Sequence, residues 1–215
     1  MSQNVNFQLK LDKILIGIEE QTKESGYVPT LLLHSCCAPC SSYVLEYLSQ
    51  YFAITIFYYN PNISTQKEYV KRVEEQKRLI TELPVKNKIS FMEGLYDPAI
   101  FDNAISGKEL LGERSARCYA CYQFRMEEAC RIAKEYGYDY FTTTLSISPH
   151  KNANWLNEIG EQLQQQYDMQ YLYADFKKKN GYQRSIELSE QYHLYRQDFC
   201  GCKYSQREEA ERKSK

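Results

Sequence analysis

The chain has 215 residues, of which 43% are hydrophobic and 14% aromatic, a composition that predicts a folded globular protein and excludes a disordered chain. No apolar run reaches the length of about 18 residues that a membrane-spanning helix needs. A net charge of −1 provides no global electrostatic case for binding nucleic acid, although it leaves room for a local basic groove. Residues 1–13 lack the apolar segment of a secretory signal, so we expect a cytoplasmic protein.

The predicted elements alternate between strands and helices along the chain. Short apolar or β-branched runs predict strands at 29–34, 53–59, 88–92 and 138–145, with a candidate fifth strand at 170–174. Helical periodicity predicts helices at 41–51, 65–83, 121–136 and 152–167. The last forty residues are expected to be helical, with a loop at 200–202. This alternation predicts an α/β fold with a mostly parallel sheet flanked by helices and a helical C-terminal part.

Domain organisation follows from the same pattern. We predict an N-terminal extension at 1–28, a single α/β domain at 29–205 and a charged tail at 206–215. Polar segments at 34–42, 58–62 and 142–151 follow predicted strands, and ligands of parallel α/β sheets bind beyond the carboxyl ends of the strands. We therefore expect these three segments to line one crevice.

Cysteines are the most informative residues. Seven of the eight lie in three clusters, which are Cys36-Cys37-Ala38-Pro39-Cys40, Cys118-Tyr119-Ala120-Cys121 and Cys200-Gly201-Cys202. Clustered cysteines in a chain without a secretory signal indicate metal, iron–sulfur or redox chemistry rather than structural disulfides. A structural zinc site would use four thiols and leave three unexplained, whereas an iron–sulfur or redox site accounts for the surplus.

Each cysteine cluster predicts a different chemical property. Cys40 lies at the start of a predicted helix, where the helix dipole favours a thiolate. The spacing of Cys118 and Cys121 is that of half of a metal or cluster site. Cys200 and Cys202 flank a glycine that permits a tight backbone, and such a pair forms an easily reduced disulfide or binds a metal. Cys130 stands alone and is expected to be a small buried hydrophobe.

Weaker candidates have two interpretations each. His34 is either a ligand or proton donor beside the first cluster or, as we favour, a packed histidine at a strand end. The polar segment 142–151 is either a capped turn or a binding site for phosphate or ribose. The basic residues are either a solvated face or, together with the 20 tyrosines, a surface for unpaired nucleotides. They are Arg114, Arg117, Arg125, Lys177, Lys178, Lys179 and Arg184.

Several spaced motifs, taken in order, resemble the QueH-type epoxyqueuosine reductases. They are His34-Ser35-Cys36-Cys37-Ala38-Pro39-Cys40, Tyr59-Asn60-Pro61-Asn62, Arg117-Cys118-Tyr119-Ala120-Cys121-Tyr122 with Arg125, Thr142-Thr143-Thr144-Leu145, Ser148-Pro149, Asp175-Phe176-Lys177-Lys178, Arg196-Gln197 and Cys200-Gly201-Cys202. The resemblance extends from about residue 30 to residue 205.

This resemblance implies a fold related to the adenine nucleotide α-hydrolase, or PP-loop, proteins. Those proteins bind ATP with a Ser-Gly-Gly-x-Asp-Ser turn after the first strand. Here the turn at 35–41 carries thiols in place of the glycines that let a backbone approach pyrophosphate, which argues against ATP use. The family's reaction is the reduction of the epoxide of epoxyqueuosine in tRNA to the alkene of queuosine, with two electrons and two protons entering and water leaving.

The resemblance also implies the cofactors and partners. By motif, a [4Fe–4S] cluster is assigned to Cys36, Cys37, Cys118 and Cys121. Cys200 and Cys202 then form a redox-active pair or, with Cys40, bind a second mononuclear metal, iron or zinc. The partners would be tRNA carrying epoxyqueuosine and an unidentified electron donor. The competing interpretation is a PP-loop-type tRNA-modifying sulfur transferase or another cluster-dependent tRNA enzyme.

Overall fold

A computed structural model describes residues 5–214. Four strands form one sheet, and they are β1 (Thr30–His34), β2 (Ala53–Tyr58), β3 (Ile89–Glu93) and β4 (Tyr140–Thr143). All three pairings are parallel and the strand order is β3-β2-β1-β4. The predicted α/β fold with a parallel sheet is confirmed.

Eight helices surround this sheet within the described residues. They are α1 (Phe7–Ser25), α2 (Ala38–Leu48), α3 (Gln66–Glu82), α4 (Pro98–Ala104), α5 (Ala116–Glu135), α6 (Ala153–Tyr167), α7 (Gly181–Gln191) and α8 (Lys203–Lys213). The chain runs outward from β1 to β2 and β3 and then returns to place β4 on the other side of β1. The order of the strands therefore reverses between β1 and β4, and ligands of such sheets bind beyond the strand ends at this point.

The central strand β1 explains why the core has two halves. Leu31, Leu32 and Leu33 are all fully buried, as a strand covered on both faces requires. Because successive side chains of a strand point to opposite faces, Leu31 and Leu33 pack into one apolar cluster and Leu32 into the other. Because β1 is buried on both faces, its sequence is an uninterrupted run of apolar residues.

Helix α1 lies within residues 1–28, which were predicted to form an N-terminal extension. Asn6 caps its start by accepting a hydrogen bond from the backbone N–H of Leu9, and Gly26 ends it with a left-handed φ of 72°. Leu11, Leu15 and Ile18 are buried and belong to the apolar cluster that also contains Leu31 and Leu33. The division of the chain at residues 28 and 205 stays a prediction.

The packing of α1 predicts how substitution of a buried and of an exposed leucine affects stability. We expect Leu15→Ala to lower the free energy of unfolding by about 2–5 kcal/mol, because Leu15 is 2% exposed and its removal leaves a cavity in the core. Leu9 lies on the same helix with 57% exposure, so Leu9→Ala is expected to change the free energy of unfolding by less than about 0.5 kcal/mol. Urea unfolding of both variants measures the difference, and equal effects would show that α1 is not part of the cooperative core.

Two predicted boundaries that lie near the strand ends and the cysteines differ from the structure. Strand β4 ends at Thr143, because Thr144–Ile147 forms a 3-10 turn rather than continuing the strand. Helix α5 begins at Ala116, earlier than the predicted position 121, because Ser115 caps it through the backbone N–H of Arg117. Helices α1 and α4 were not predicted.

The candidate fifth strand at 170–174 is wrong. The segment makes one parallel bridge, between Phe141 and Tyr171, and then leaves the sheet. Side chains bind several of its other backbone groups, and Thr142 donates to the carbonyl of Leu172 at 2.8 Å. Asn157 also accepts from the backbone N–H of Ala174 at 3.0 Å. A β-like apolar run therefore stays outside the sheet because polar side chains replace the strand partner.

Candidate active site

Polar segments after three strands meet at the carboxyl edge of the sheet. The Nδ1 atom of His34 lies 2.8 Å from the hydroxyl of Thr143, and its Nε2 atom lies 3.1 Å from the carbonyl of Tyr59. Asn60 donates to the carbonyl of Ser35 at 2.7 Å. The sequence prediction that these segments come together is confirmed, although the large cleft described below is lined by the first and third of them only.

His34 is a packed residue, as we favoured from the sequence. Its side chain is fully buried, and both ring nitrogens have hydrogen-bond partners in the fold. Burial, with a smaller contribution from the charge of Arg125, lowers the pKa of His34 to about 3. The imidazole is therefore neutral at physiological pH and has no nitrogen left to bind a metal.

Cys36, Cys37 and Cys40 form a compact triad of thiols. Their sulfur atoms all lie within 4.8 Å of one another, and those of Cys36 and Cys37 are 3.7 Å apart. Cys37 is the N-cap residue of α2 and Cys40 lies in its first turn, where the helix dipole favours negative charge. This arrangement can hold a metal ion or one corner of a cluster.

The three thiols of the triad have different acidities. Hydrogen bonds from Cys36 and Cys40, together with the charge of Arg72, lower the pKa of Cys37 well below that of an ordinary thiol. The same contacts with Cys36 and Cys37 raise the pKa of Cys40 well above its usual value. One thiolate shared by two thiol donors is what three clustered sulfurs adopt before a metal replaces the protons.

The other four clustered cysteines form a second group. Cys118 and Cys121 lie about one turn apart on α5, whereas Cys200 and Cys202 lie in the loop before α8. All four line one small pocket of about 20 Å³. Burial raises the pKa of Cys121 to about 12.

The two groups of thiols are neighbours. The triad members Cys36 and Cys40 line the same cleft as Cys200 of the second group. Seven cysteines from three parts of the chain thus converge on one region, and all eight are free thiols. The motif-based division, with Cys40 apart from Cys36 and Cys37, differs from this spatial grouping and stays a prediction.

Cys130 lies away from this region, as the sequence predicts. It is fully buried in the apolar cluster between α5 and α6, and its thiol points toward the carbonyl of Leu163 at 3.8 Å. Burial raises the pKa of Cys130 to about 12, which keeps it an unreactive thiol.

The loop of Cys200 and Cys202 is held by close backbone contact. Gly201 has a φ of 118°, and a Cβ atom there would lie 3.1 Å from Ile63 and 3.2 Å from the guanidinium of Arg72. The Gly201 carbonyl accepts from the backbone N–H of Ser64 at 2.9 Å. The expectation that this glycine permits a tight backbone is confirmed.

Lys151 contacts the second group directly. Its Nζ atom lies 3.0 Å from the sulfur of Cys200. Although burial alone would raise the pKa of Cys200, the charges of Lys151 and Arg125 outweigh it, and the pKa is lowered. Sequence reasoning placed Lys151 in a phosphate or ribose site and missed this contact, because the two residues are far apart in the chain.

Two buried arginines lie against the thiols. Arg125 is 1% exposed and Arg72 is 2% exposed, and each has an Nη2 atom without a hydrogen-bond partner among the described residues. Arg72 also donates to the carbonyl of Cys200 at 3.3 Å. Unsatisfied cationic donors beside seven thiols fit an anionic group bound by thiolates, such as an iron–sulfur cluster.

Helix α3 supplies residues that the sequence analysis overlooked. Its buried side contains the apolar residues Tyr69 and Val73, and Arg72 and Gln76 are buried with them. Gln76 accepts hydrogen bonds from Ser35 at 2.9 Å and Ser41 at 2.8 Å and so holds the turn that carries the triad. The available signal was their spacing, since Arg72 follows Tyr69 by three residues and Gln76 follows Val73 by three, and residues three or four apart share a helix face.

The basic residues mostly have structural partners. Arg117 is 3% exposed and pairs with Glu208 at 2.8 Å, so for this residue both interpretations, a solvated face and a surface for unpaired nucleotides, are wrong. Lys177 donates to the carbonyl of Ser146 and Lys179 pairs with Asp12. Arg184 pairs with Glu46 and Glu187, whereas Lys178 is exposed.

A cleft of about 400 Å³ opens beside the thiols. Cys36, Cys40 and Cys200 lie in its wall, and its rim includes the exposed side chains of His150 and Arg196. Its size is that of a typical small-molecule or nucleobase pocket.

Comparisons with known proteins place this geometry in a family. The sequence model of the family described as epoxyqueuosine reductase QueH matches residues 31–208. The chain belongs to the epoxyqueuosine reductase QueH family. The match covers all seven clustered cysteines of this QueH family member and confirms the resemblance that its motifs indicated.

Curated relatives of this QueH family member cover most of its length. The epoxyqueuosine reductase QueH of Staphylococcus aureus strain Mu50 is 39% identical over 209 residues, covering 95% of this chain and 87% of the relative. That of Streptococcus pyogenes serotype M1 is 38% identical over 206 residues, covering 95% and 81%. That of Haemophilus influenzae is 40% identical over 214 residues, covering 95% and 85%. Residues 5–214 contain no helix with the length and hydrophobicity of a membrane span.

Proposed function

We propose that this chain is an epoxyqueuosine reductase that acts on tRNA in the cytoplasm. In the reaction, both carbon–oxygen bonds of the epoxide break and a carbon–carbon double bond forms. Two electrons and two protons enter, and the oxygen leaves as water. The observation that carries the proposal is the convergence of seven thiols beside the cleft, in a chain that belongs to the QueH family.

A [4Fe–4S] cluster bound by Cys36, Cys37, Cys118 and Cys121 is the proposed cofactor. The compact triad, the helix dipole of α2 and the unsatisfied guanidinium groups support an anionic, thiolate-bound centre. Cys40, Cys200 and Cys202 are proposed to form a second centre, either as a redox pair of Cys200 and Cys202 or as ligands of iron or zinc. When bound, the cluster supplies electrons one at a time, and a second metal supplies a Lewis acid for the epoxide oxygen.

The protein's own residues prepare this site for reduction. The charges of Lys151 and Arg125 favour the thiolate of Cys200, and the contacts with Cys36 and Cys40 favour that of Cys37. The buried side chains of Leu145 and Ile147 form an apolar part of the wall of the cleft. A modified base inserted there would be held against the thiols.

Anaerobically purified protein provides the test of this proposal. We expect a brown protein that contains iron and acid-labile sulfide and converts epoxyqueuosine in tRNA to queuosine when a chemical reductant is supplied. A colourless protein with zinc and without sulfide would contradict the cofactor. A requirement for ATP would instead support the sulfur-transferase alternative.

Binding of tRNA is expected to weaken as salt concentration rises, because phosphate contacts release counterions. Arg196 is exposed at the rim of the cleft and is proposed to contact a phosphate. Arg196→Gln should weaken binding and reduce the slope of log affinity against log salt by about 1. Arg131→Gln is the matched control, since Arg131 is exposed on α5 and pairs with Glu128 and Glu135. Equal slopes for wild type and the Arg196 variant would contradict the assignment.

A further inference from the structure

The side chain of Arg125 is held rigidly at the thiol site. It is 1% exposed, its Nη1 atom donates to the side chain of Asn60 at 3.0 Å, and its Nε atom donates to the carbonyl of Cys121 at 3.4 Å. The third nitrogen, Nη2, is buried and has no partner among the described residues. Two contacts therefore orient the guanidinium and leave the N–H groups of Nη2 free to donate.

The charge of Arg125 lacks a carboxylate partner. Its two hydrogen-bond acceptors are the side-chain amide of Asn60 and the backbone carbonyl of Cys121, and no ion pair of residues 5–214 includes it. A buried charge without an opposite charge is costly, so such residues are normally paired. Cys36, Cys40 and Cys200 line the cleft together with Arg125. The carboxylates of the same cleft, Glu113, Asp198 and Glu209, pair with Arg212 and Lys213, which leaves the thiols and whatever they bind as the source of negative charge for Arg125.

Other buried cations near the site do not share this property. Arg72 lies as deep as Arg125, but it pairs with Glu68 at 2.7 Å. Arg117 pairs with Glu208. Arg125 thus differs from both in that its full positive charge is uncompensated by protein carboxylates within the described structure.

We infer that Arg125 is a positioning residue that compensates the charge of the thiolate-bound centre, donates a free N–H group to a sulfur of that centre, and thereby raises the centre's reduction potential. The inference rests on the proposed iron–sulfur function. Adding an electron makes a thiolate-bound cluster more negative, so a fixed positive charge beside it stabilises the reduced form. The residue therefore makes the centre easier to reduce by the electron donor.

Redox titration of Arg125 variants tests this inference. Wild type, Arg125→Met, Arg125→Lys and the control Arg131→Met are prepared anaerobically, and iron, sulfide and the fraction of reduced cluster are measured at the midpoint potential of the wild type. We expect the ratio of reduced to oxidised cluster to fall about tenfold in Arg125→Met, which corresponds to about 59 mV for one electron. In Arg125→Lys, which keeps the charge, the ratio of reduced to oxidised cluster should fall much less. In Arg131→Met the ratio should equal that of the wild type.

The possible outcomes separate the inference from the proposed function. Wild type without iron and sulfide overturns the cofactor and the inference with it, before any variant is compared. A wild-type ratio in an iron-loaded Arg125→Met variant overturns the inference alone. If Arg125→Met loses the cluster and Arg125→Lys keeps it, the requirement for charge supports the inference. Loss of the cluster from both variants overturns it, because the charge is then not the decisive property.

Discussion

Serine in place of Cys36 or Cys37 is expected to remove most of the iron and sulfide and to abolish epoxyqueuosine reduction. Each substitution takes away one of the four proposed thiolate ligands. In the structure the two sulfurs are 3.7 Å apart, which is close enough for one centre to bind both. Cys118→Ser and Cys121→Ser should have the same effect. Iron and sulfide analysis of anaerobically prepared protein measures the loss of the cluster. A normal iron content in any of the four variants would contradict the assignment of that cysteine as a ligand.

Cys130→Ala is the matched control for these variants. It also removes a buried thiol from α5, but from the apolar core rather than from the site. The variant should keep its cluster and its activity. If it lost either, Cys130 would have a role that its position in the core does not indicate.

Cys40→Ser distinguishes the motif-based ligand set from the spatial grouping. By motif, Cys40 belongs to the second centre, so the variant should keep its cluster. In the structure its sulfur lies within 4.8 Å of those of Cys36 and Cys37. Loss of most of the iron from Cys40→Ser would therefore show that the triad acts as one set of ligands.

Cys200→Ser or Cys202→Ser is expected to leave a largely intact cluster and to abolish reduction of the epoxide. The proposed cluster already has four other thiolates, so these two thiols are free to serve the second centre. Cys200 faces the cleft and contacts Lys151, which places it where substrate would bind. Turnover and iron content, measured on the same preparation, check this expectation. Wild-type turnover with a full cluster in both variants would show that the mechanism has no second centre.

Thiol and metal titrations of the wild type decide what this second centre is. A redox disulfide predicts that the thiol count rises by two on reduction. A metal site predicts about one additional metal per chain, lost in the Cys40, Cys200 and Cys202 variants, and thiols that resist alkylation until the metal is chelated. The two results are mutually exclusive for one preparation.

Local signals were sufficient for the sheet and for most of its helices. Strand β1 is a continuous apolar run because both of its faces are covered, and β2 is rich in β-branched and aromatic residues for the same reason. Signals of this kind lie within a few neighbouring residues. The segment at 170–174 shows their limit, because Asn157 and Thr142 supply its hydrogen bonds from elsewhere in the chain and keep it out of the sheet.

By itself, the sequence determined the family, the α/β class and the seven cysteines of the site, since each depends on residue types at short spacing. Only the tertiary structure decided which thiols are neighbours and which charges face them. Cys118 and Cys121 meet Cys200 and Cys202, Lys151 reaches Cys200, and Arg117 turns inward to Glu208. These contacts depend on how helices and loops distant in the chain pack against one sheet edge. Side-chain periodicity specifies the buried face of each element, but it contains no information about the element on which that face will pack.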